Sequence, residues 1–316
     1  MSEARPPESI LWDLMRGALT ARALGIVADL RVADALAAGP RPIPDLARDV
    51  GADADTLHRL LRALASDEVF AEQEPGVFAN TPASEQLQRE GWNDFAHLFG
   101  SVFHRIAGEL DADGEPVFSR LFGEDFWAWL ATNPAERAAF DRAMAGGKEW
   151  KAERLAGVEW RDGETVVDVG GGNGALLVEL LRRRPKVHGI VFDLPETDRD
   201  ERTFGDGIEF VSGSFFERVP PGDTYVLSAI LHDWDDEHAT AILKTIKACA
   251  PSGARVLIAE TVIAPGNDPS GAKWLDLLML ALGGRERDEA QWRKLLARAG
   301  VEPVRVEDGV IEARCP

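Results

Sequence analysis

The sequence predicts an α/β fold in which a seven-stranded sheet follows an α-helical N-terminal region. Five apolar runs alternate with helical segments, which is the pattern of a parallel sheet buried on both faces. These runs cover residues 166–169, 187–192, 208–212, 224–228 and 255–260. Two last runs, 302–306 and 309–313, flank Glu307 and Asp308 and predict an antiparallel terminal hairpin. Seven strands argue against a dehydrogenase half-domain, which normally has fewer.

The first apolar run ends in a glycine-rich turn. Four glycines stand within residues 170–174, so the chain can turn sharply and a ligand can approach bare backbone. The predicted helix after it, 175–184, carries its arginines in the last turn, where the helix dipole favours cations. Gly170, Gly172 and Ala175 also fit the G-x-G-x-x-G/A dinucleotide fingerprint, so the glycines alone leave the nucleotide open.

Charges near this turn distinguish between the candidate ligands. Asp168 precedes the first glycine by two residues, and residues 164–181 contain no Lys or Arg. A pyrophosphate would gain no cation there, whereas a ligand with an ammonium and a sulfonium suits an acidic strand end. These charges favour S-adenosylmethionine as the cofactor. Asp193, at the end of the second run, stands where such folds hold a ribose hydroxyl pair.

Composition narrows the classes of function. The 316 residues, 45% of them hydrophobic, suffice for one large or two medium domains. A formal net charge of −19 argues against a nucleic-acid partner, because phosphate binding needs clustered Lys and Arg. The two cysteines, Cys249 and Cys315, form no disulfide framework, so a cytoplasmic location is expected. No apolar run approaches the length of a membrane span, and no membrane partner is expected.

The first third of the chain predicts helices followed by a winged-helix unit. Apolar residues recur at helical spacing over 10–39, Asp53 or Asp55 caps an amphipathic helix, and residues 69–79 predict a hairpin. Winged helices often bind DNA, but residues 41–70 hold four Arg against six acids, so this unit is interpreted as an association module. The apolar helices predict a homodimer contact, although burial within the chain explains them equally well.

Residues 92–155 are predicted to be helical and rich in aromatic side chains, and residues 96–160 are assigned as a helical region that walls the substrate. Packing in the core explains most of these side chains, but an aromatic wall before a cofactor domain also suits a flat substrate. Phe140 and Met144 lie four apart on the helix that starts at Pro134, and they are the first candidates for that wall.

A second cluster of polar residues, 232–238, follows the fourth predicted strand. His232 lies just past the strand end, where open α/β sheets bind ligands, and histidine readily accepts a proton near neutral pH. His238 falls inside the next helix, which Asp235 or Asp236 would cap, and is expected on the surface. A metal site is the competing interpretation, but no independent signature supports it and no metal is expected.

Five motifs together resemble the class I small-molecule O-methyltransferases of the caffeic-acid and bacterial polyketide or phenazine type. They are VDVGGGNG at 167–174, FDLP at 192–195, LHDW at 231–234, AE at 259–260 and GGRER at 283–287. The resemblance covers nearly the whole chain. It implies a winged-helix dimerisation domain over 1–95 and a Rossmann-like methyltransferase domain over 96–316, with its cofactor-binding core at 161–316.

The resemblance also implies roles for single residues. His232 matches the general base that takes the proton from a substrate hydroxyl, and Glu260 and Glu286 match the acids that orient it. Cofactor contacts are implied for Asp168, Gly170, Gly172, Asp193, Leu194, Gly213, Ser214, Phe215, Ser228 and Trp234. Substrate contacts are implied for Phe140, Met144, Asp233, Leu278 and Met279.

Three departures from the family pattern stand in the cofactor region. Ser214 replaces the usual Asp that meets the adenine amine, and Ser228 stands where plant members have Lys. Residues 196–207 are shorter than the usual second helix and its loop. These departures predict a lower affinity for the cofactor.

The predicted function is S-adenosylmethionine-dependent methylation of a hydroxyl on a small aromatic metabolite, phenolic or polyketide-like, with S-adenosylhomocysteine as the product. The alternatives are a family member with altered chemistry, a winged-helix regulator and a nicotinamide enzyme. His232 together with Glu260 and Glu286 argues against lost chemistry, since decay would remove the base first. The sequence does not name the acceptor.

Overall fold

The structure is a computed structural model that describes residues 6–89, 91–144, 148–195, 197, 208–307 and 309–316. The helices are α1 (Pro7–Met15), α2 (Gly17–Asp29), α3 (Val32–Ala35), α4 (Ile43–Val50), α5 (Ala54–Ala65), α6 (Trp92–Gly100), α7 (Val102–Gly108), α8 (Val117–Phe122), α9 (Phe126–Thr132), α10 (Pro134–Met144), α11 (Lys148–Ala156), α12 (Ala175–Arg183), α13 (Asp236–Cys249), α14 (Gly271–Leu282) and α15 (Glu289–Ala299). The strands are β1 (Arg41–Pro42), β2 (Phe70–Glu74), β3 (Val77–Asn80), β4 (Thr165–Val169), β5 (His188–Asp193), β6 (Ile208–Ser212), β7 (Thr224–Ser228), β8 (Arg255–Ala259), β9 (Val262–Ile263), β10 (Arg287–Asp288), β11 (Glu302–Glu307) and β12 (Val310–Arg314).

The chain forms two compact units. The first consists of Met1–Leu110 and Thr132–Gly146, and the second of Asp111–Ala131 and Gly147–Pro316. The domain boundary expected between residues 95 and 96 stays a prediction. Among the described residues, no helix combines the length and the hydropathy that a membrane crossing requires.

The second unit contains the predicted seven-stranded sheet. Within the described residues its order is β11-β12-β8-β7-β4-β5-β6. Strands β4 to β8 are parallel, and the β11–β12 hairpin pairs antiparallel with β8, as the sequence predicted. The chain runs outward from β4 through β5 to β6 and then returns to β7 on the other side of β4. The carboxyl ends of β4 and β7 therefore adjoin at the switch point, where open α/β sheets bind ligands.

Burial on both faces explains the continuous apolar runs of the central strands. In β4, Val166, Val167 and Val169 are all fully buried. Val167 and Val169 join the core built with α13 and α15, whereas Val166 joins the core built with α11 and α12. Because neighbouring side chains point to opposite faces, each face needs its own apolar partners.

The first unit has a separate core. Its three-stranded antiparallel sheet, β1-β3-β2, includes the predicted hairpin, and α2 to α5 pack around buried Leu57, Leu61, Phe70 and Phe78. Of the two expected caps, Asp53 and Asp55, Asp53 accepts a hydrogen bond from the Thr56 amide and caps α5. The apolar segment 10–39 forms three helices and not one.

The N-terminal helices leave a large apolar face exposed in the single chain. Helix α1 has no buried residue. Exposed side chains on α1 and α2 are Ile10, Leu11, Trp12, Leu14, Met15 and Leu19. A face this apolar is typical of an association surface.

His97 joins three helices of the first unit through its ring. Its Nδ1 lies 2.7 Å from Asp29 Oδ1 at the end of α2, and its Nε2 lies 3.2 Å from Glu136 Oε2 on α10. Burial lowers the pKa of His97, but the two carboxylates outweigh burial and raise it above its ordinary value. The protonated ring therefore stabilises the fold of this unit.

We expect His97→Gln to lower the free energy of unfolding by about 1 kcal/mol at low pH, because one charge-assisted contact is lost. The folded-state pKa is raised, so the contribution is complete below the unfolded pKa near 6.5 and disappears as pH rises through the folded pKa. Urea titrations of parent and variant should therefore differ most near pH 6 and converge at pH values above the raised folded-state pKa. The exposed His188 supplies the control His188→Gln. A difference independent of pH would contradict the ionic role of His97.

Candidate active site

The turn after β7 is held in an unusual backbone conformation. Ala229 has a φ of 55°, a left-handed conformation that costs a residue with a Cβ roughly 1–2 kcal/mol. The chain then forms a single 3₁₀ turn, Leu231–Asp233. The amides of Ile230 and Leu231 donate to Glu260 Oε1 at 3.0 and 2.7 Å. The carboxylate at the tip of β8 thus fixes the backbone on which His232 stands.

His232 is paired directly with Glu286. Its Nδ1 lies 2.6 Å from Glu286 Oε1, and its Nε2 lies 3.4 Å from Asp233 Oδ1. Only 14% of the His232 side chain and 1% of the Glu286 side chain are exposed. The Glu286 amide donates to Asp276 Oδ1 on α14 at 2.8 Å, which positions the carboxylate. The structure therefore brings His232, Glu286 and Glu260 together, with Glu260 acting on the backbone of the turn.

The acidic surroundings control the protonation of this site. Burial lowers the pKa of His232, but Asp233, Glu286 and Glu260 outweigh burial and raise it to about 9. Burial raises the pKa of Asp233 to about 7, against the opposing effect of His232, and it also raises the pKa of Glu260. The positive charge on the imidazole is thus favoured by its neighbours.

Lys151 is a cation that no sequence motif singled out. It is half-buried on α11, where burial lowers its pKa while Glu260, Asp168 and Asp233 act on its charge in the opposite direction. The absence of Lys and Arg from residues 164–181 thus does not leave the acidic strand ends without a cation. Helical spacing could have predicted its position, because Lys151 precedes the buried Leu155 by four residues and therefore lies on the same face of the helix.

The glycine turn after β4 is closed by the acid at the end of β5. Gly170, Gly172 and Gly174 have φ values of 72°, 57° and 82°, which favour glycine. The Gly172 amide donates to Asp193 Oδ2 at 2.7 Å, and a Cβ at Gly172 would meet no other atom within 4 Å. Asp193 Oδ1 accepts from the Leu194 amide at 2.7 Å. The turn thus presents open backbone beside a carboxylate.

The buried carboxylate of Asp168 fits a cationic ligand. Its side chain is 2% exposed, and Oδ2 has no hydrogen-bond partner within the described part of the chain. Burial, with a smaller contribution from Asp193, raises the pKa of Asp168 to about 7. An ammonium or sulfonium group nearby would satisfy this carboxylate, whereas a phosphate would be repelled.

An aromatic group lies beside the same edge of the sheet. Trp234 meets Phe216 edge-on at 4.9 Å between ring centroids and Phe215 at 6.1 Å. The Phe216 amide donates to Ser214 Oγ at 3.3 Å. Flat aromatic faces of this kind suit a purine base. His238 is exposed, as the sequence predicted, and lies 2.9 Å from Asp235. Of the two expected caps, Asp235 and Asp236, Asp235 caps α13.

The residues predicted to contact substrate fall in both units. Leu278 is half-buried and Met279 buried on α14, Asp233 adjoins His232, and Phe140 and Met144 lie on α10 of the first unit. Their role in the substrate pocket stays a prediction. Among the earlier aromatic residues, Phe118 and Phe122 stack at 4.4 Å in the second unit, as core packing predicts.

Within the described residues, no group of three or more His, Cys, Asp or Glu side chains is placed to hold a metal ion. A parallel sheet with a glycine turn after β4 and an acid at the end of β5 forms a nucleotide-type site, and the buried carboxylates at the strand tips favour a ligand that carries positive charge.

Comparison with known proteins identifies the family. Residues 103–302 match the O-methyltransferase domain, and residues 12–90 match the O-methyltransferase dimerisation domain. The chain is 36% identical to the phenazine O-methyltransferase PhzM of Lysobacter antibioticus, over 98% of this chain and 97% of that protein. It is 35% identical to the 3-amino-4-hydroxybenzoate 4-O-methyltransferase of Streptomyces cremeus, over 92% and 84%. The chain belongs to the S-adenosylmethionine-dependent small-molecule O-methyltransferase family.

Solved structures agree with this assignment. The chain is similar to an O-methyltransferase of neocarzinostatin biosynthesis, with a TM-score of 0.80, 34% identity and coverage of 94% of this chain and 96% of that one. That structure contains S-adenosyl-L-homocysteine and 1,4-dihydroxy-2-naphthoic acid. S-adenosylmethionine is the cofactor of this enzyme, as the sequence predicted.

We expect Asp193→Asn to weaken S-adenosylmethionine binding by roughly 10- to 100-fold, because a charged acceptor contributes about 1.5–3 kcal/mol. Isothermal titration with S-adenosylmethionine and S-adenosylhomocysteine measures the loss, with thermal melts to verify folding. Asp162→Asn is the control, because Asp162 pairs with Lys186 on the exposed surface. Parental affinity in Asp193→Asn would show that this carboxylate does not hold the cofactor.

Proposed function

We propose that this enzyme methylates a hydroxyl group of a small aromatic metabolite, with His232 as the general base. The observation that carries the proposal is the 2.6 Å pairing of His232 Nδ1 with Glu286. Because that nitrogen is occupied, Nε2 is the ring atom left to take a proton. The relatives support the acceptor class, since their names specify phenazine, hydroxybenzoate and dihydroxynaphthoate methylation.

The residues divide the work of the reaction. When bound, S-adenosylmethionine would supply the methyl group; its sulfur–methyl bond would break, the sulfur would keep the electron pair, and S-adenosylhomocysteine would leave. Neutral His232 accepts the hydroxyl proton at Nε2 as the acceptor oxygen gains its new bond to carbon. A phenol has a pKa near 10, so removal of its proton during transfer helps at neutral pH. Glu286 holds the ring and stabilises the imidazolium that forms. Orienting the reacting atoms supplies a further share, up to roughly 7–11 kcal/mol.

Cofactor-binding roles are proposed for the residues at the strand ends. Asp168 and the glycine turn would hold the methionine part, and Asp193 with Leu194 would hold the ribose. Adenine would lie against Gly213, Ser214, Phe215 and Trp234, with Ser228 nearby at the tip of β7. Three observations support these roles: the buried Asp168 oxygen without a hydrogen-bond partner among the described residues, the open backbone at Gly172, and the aromatic group around Trp234.

The setting of the reaction is also proposed. Relatives include an O-demethylpuromycin O-methyltransferase and a mitomycin biosynthesis 6-O-methyltransferase, which supports a role in secondary metabolism such as antibiotic biosynthesis. The cytoplasmic location and the absence of a nucleic-acid partner stay predictions from composition.

We expect His232→Gln to lower methyl transfer by roughly 10²–10⁴-fold, the usual contribution of a positioned base. Cofactor binding should stay near parental, because no cofactor contact is assigned to this side chain. Glu286→Gln and Glu260→Gln should each cost less, because they position the base without taking the proton. The assay is transfer of labelled methyl to a panel of hydroxybenzoates, hydroxynaphthoates and hydroxyphenazines, with exposed His238→Gln as the matched control.

The pH profile tests the same base. A base works only when deprotonated, and the pKa of His232 is raised to about 9, so activity is lost as pH falls below that value. A cation bound in the acidic pocket would lower the pKa of His232 and so move this loss of activity, the acid limb of the profile, toward lower pH. The limb should vanish in His232→Gln, whose rate should partly recover at high pH, where a phenol ionises unaided. Parental turnover of His232→Gln at pH 7 would remove the base from the mechanism.

We infer that the enzyme is a homodimer joined through the exposed face of α1 and α2. The dimerisation-domain match over residues 12–90 and the exposed Leu11, Trp12 and Leu19 support this inference. Sedimentation at micromolar concentration should give about 69 kDa, twice the 34.4 kDa chain. Trp12→Glu should shift the protein toward monomer, whereas Val304→Glu, on the exposed face of β11, should not. A parental protein that sediments as an active monomer would exclude the dimer.

A further inference from the structure

Arg287, which directly follows Glu286 in the chain, is fully buried in the second unit. Burial lowers its pKa, against the opposing effect of Asp236. Burying a guanidinium is costly unless its donors are satisfied, so its contacts indicate what the burial achieves. The guanidinium also lies over the Trp292 ring, 5.3 Å from the centroid.

The guanidinium spans the turn that carries the proposed base. Nη1 donates to the Leu231 carbonyl at 2.9 Å, and Nη2 donates to the Trp234 carbonyl at 2.9 Å. The two carbonyls belong to the residue before His232 and to the residue after Asp233, so the guanidinium holds the turn at both of its ends. Nε donates to Asp236 Oδ1 at 3.0 Å, at the start of α13. A planar fork of donors can serve three acceptors in fixed directions, which a lysine ammonium cannot reproduce.

The rest of the 283–288 loop packs on the same turn. The Arg285 amide donates to the His232 carbonyl at 2.8 Å. A Cβ added to Gly284 would stand 2.2 Å from that carbonyl oxygen, so the two backbones are in direct contact. The amide side of the turn is held by Glu260, as described above. The turn is therefore fixed on its amide side by β8 and on its carbonyl side by this loop.

We propose that Arg287 is a positioning residue for methyl transfer, which holds the His232–Asp233 turn in register with Glu286. Arg287 can align His232 with Glu286 because its side chain binds the turn that carries His232, while its backbone is bonded directly to Glu286. The proposal rests on the proposed role of His232 as the base. A merely structural Arg287 would affect stability and leave the imidazole unchanged.

The test compares Arg287→Lys and Arg287→Met with a matched buried arginine. Arg255 pairs with buried Glu164 at 2.7 Å and lies 5.1 Å over the Trp160 ring, but it stands at the amino end of β8. Arg255→Met therefore removes a similar set of contacts at the end of the sheet away from His232. All variants are compared as full-length protein by thermal melting and by titration with S-adenosylmethionine.

The decisive readout is the proton NMR signal of the His232 Nδ1–H held by Glu286, recorded without any acceptor. Its assignment comes from its loss in His232→Gln. Arg287→Lys and Arg287→Met should shift or broaden this signal. At saturating cofactor, turnover of the fastest panel acceptor should fall by about 10²-fold, the effect of a displacement near 1 Å, and the acid limb of the pH profile should move. Arg255→Met should melt at lower temperature with parental signal and turnover.

Two results would overturn the proposal. The first is a folded Arg287→Lys with the parental imidazole signal and turnover; this variant also decides the matter if Arg287→Met does not fold. The second is an Arg255→Met that loses the signal and the turnover as severely as the Arg287 variants, since that would show a general effect of stability. If His232 is not the general base, His232→Gln will show parental turnover. The NMR comparison of the Arg287 variants would still show whether Arg287 positions the imidazole against Glu286.

Discussion

The constraint on which this structure depends is the burial of carboxylates at the carboxyl edge of one parallel sheet. Each is compensated differently. Glu260 accepts two backbone amides, and Glu286 holds the imidazole of His232. Asp168, Glu260 and Glu286 each retain one buried oxygen without a hydrogen-bond partner in the described part of the chain. Because buried negative charge must be neutralised or balanced, a cationic ligand gains most beside these three carboxylates, which Lys151 balances only in part.

A buried acid at the amino end of β4 provides a contrast to Asp168, because the protein itself supplies its hydrogen bonds. Glu164, just before β4, accepts from the Arg161 amide and from Thr224 and Arg255. Burial raises the pKa of Glu164, but these donors outweigh it and lower the pKa. Asp168, near the other end of β4, has an oxygen that no donor among the described residues reaches, and its pKa is raised. The carboxylate before the strand thus has its hydrogen bonds from the protein, whereas the carboxylate near its other end can still bind a cationic ligand.

The site is assembled from segments that are distant in sequence. Strand order places the ends of β4 and β7 side by side, and Ser228 pairs with Ala259, which sets Glu260 beside the turn after β7. The short parallel pair of β9 and β10 then aligns Arg287 with Val262. The left-handed Ala229 redirects the chain at the centre of this arrangement. Its strain is tolerated because hydrogen bonds from both sides hold the turn.

The sequence by itself determined the succession of strands and helices along the chain, the terminal hairpin and the cofactor class, and it narrowed each of two helix caps to two residues, Asp53 or Asp55 and Asp235 or Asp236. Periodicity, capping and glycine turns are local properties of the chain. Only the tertiary structure decided that Glu260 binds backbone amides, that Lys151 contributes its charge to the strand ends, and that Arg287 spans the turn of His232. These outcomes depend on distances between segments that loops and strand order bring together. No local pattern encodes such distances, since they follow from how the completed sheet and its helices pack.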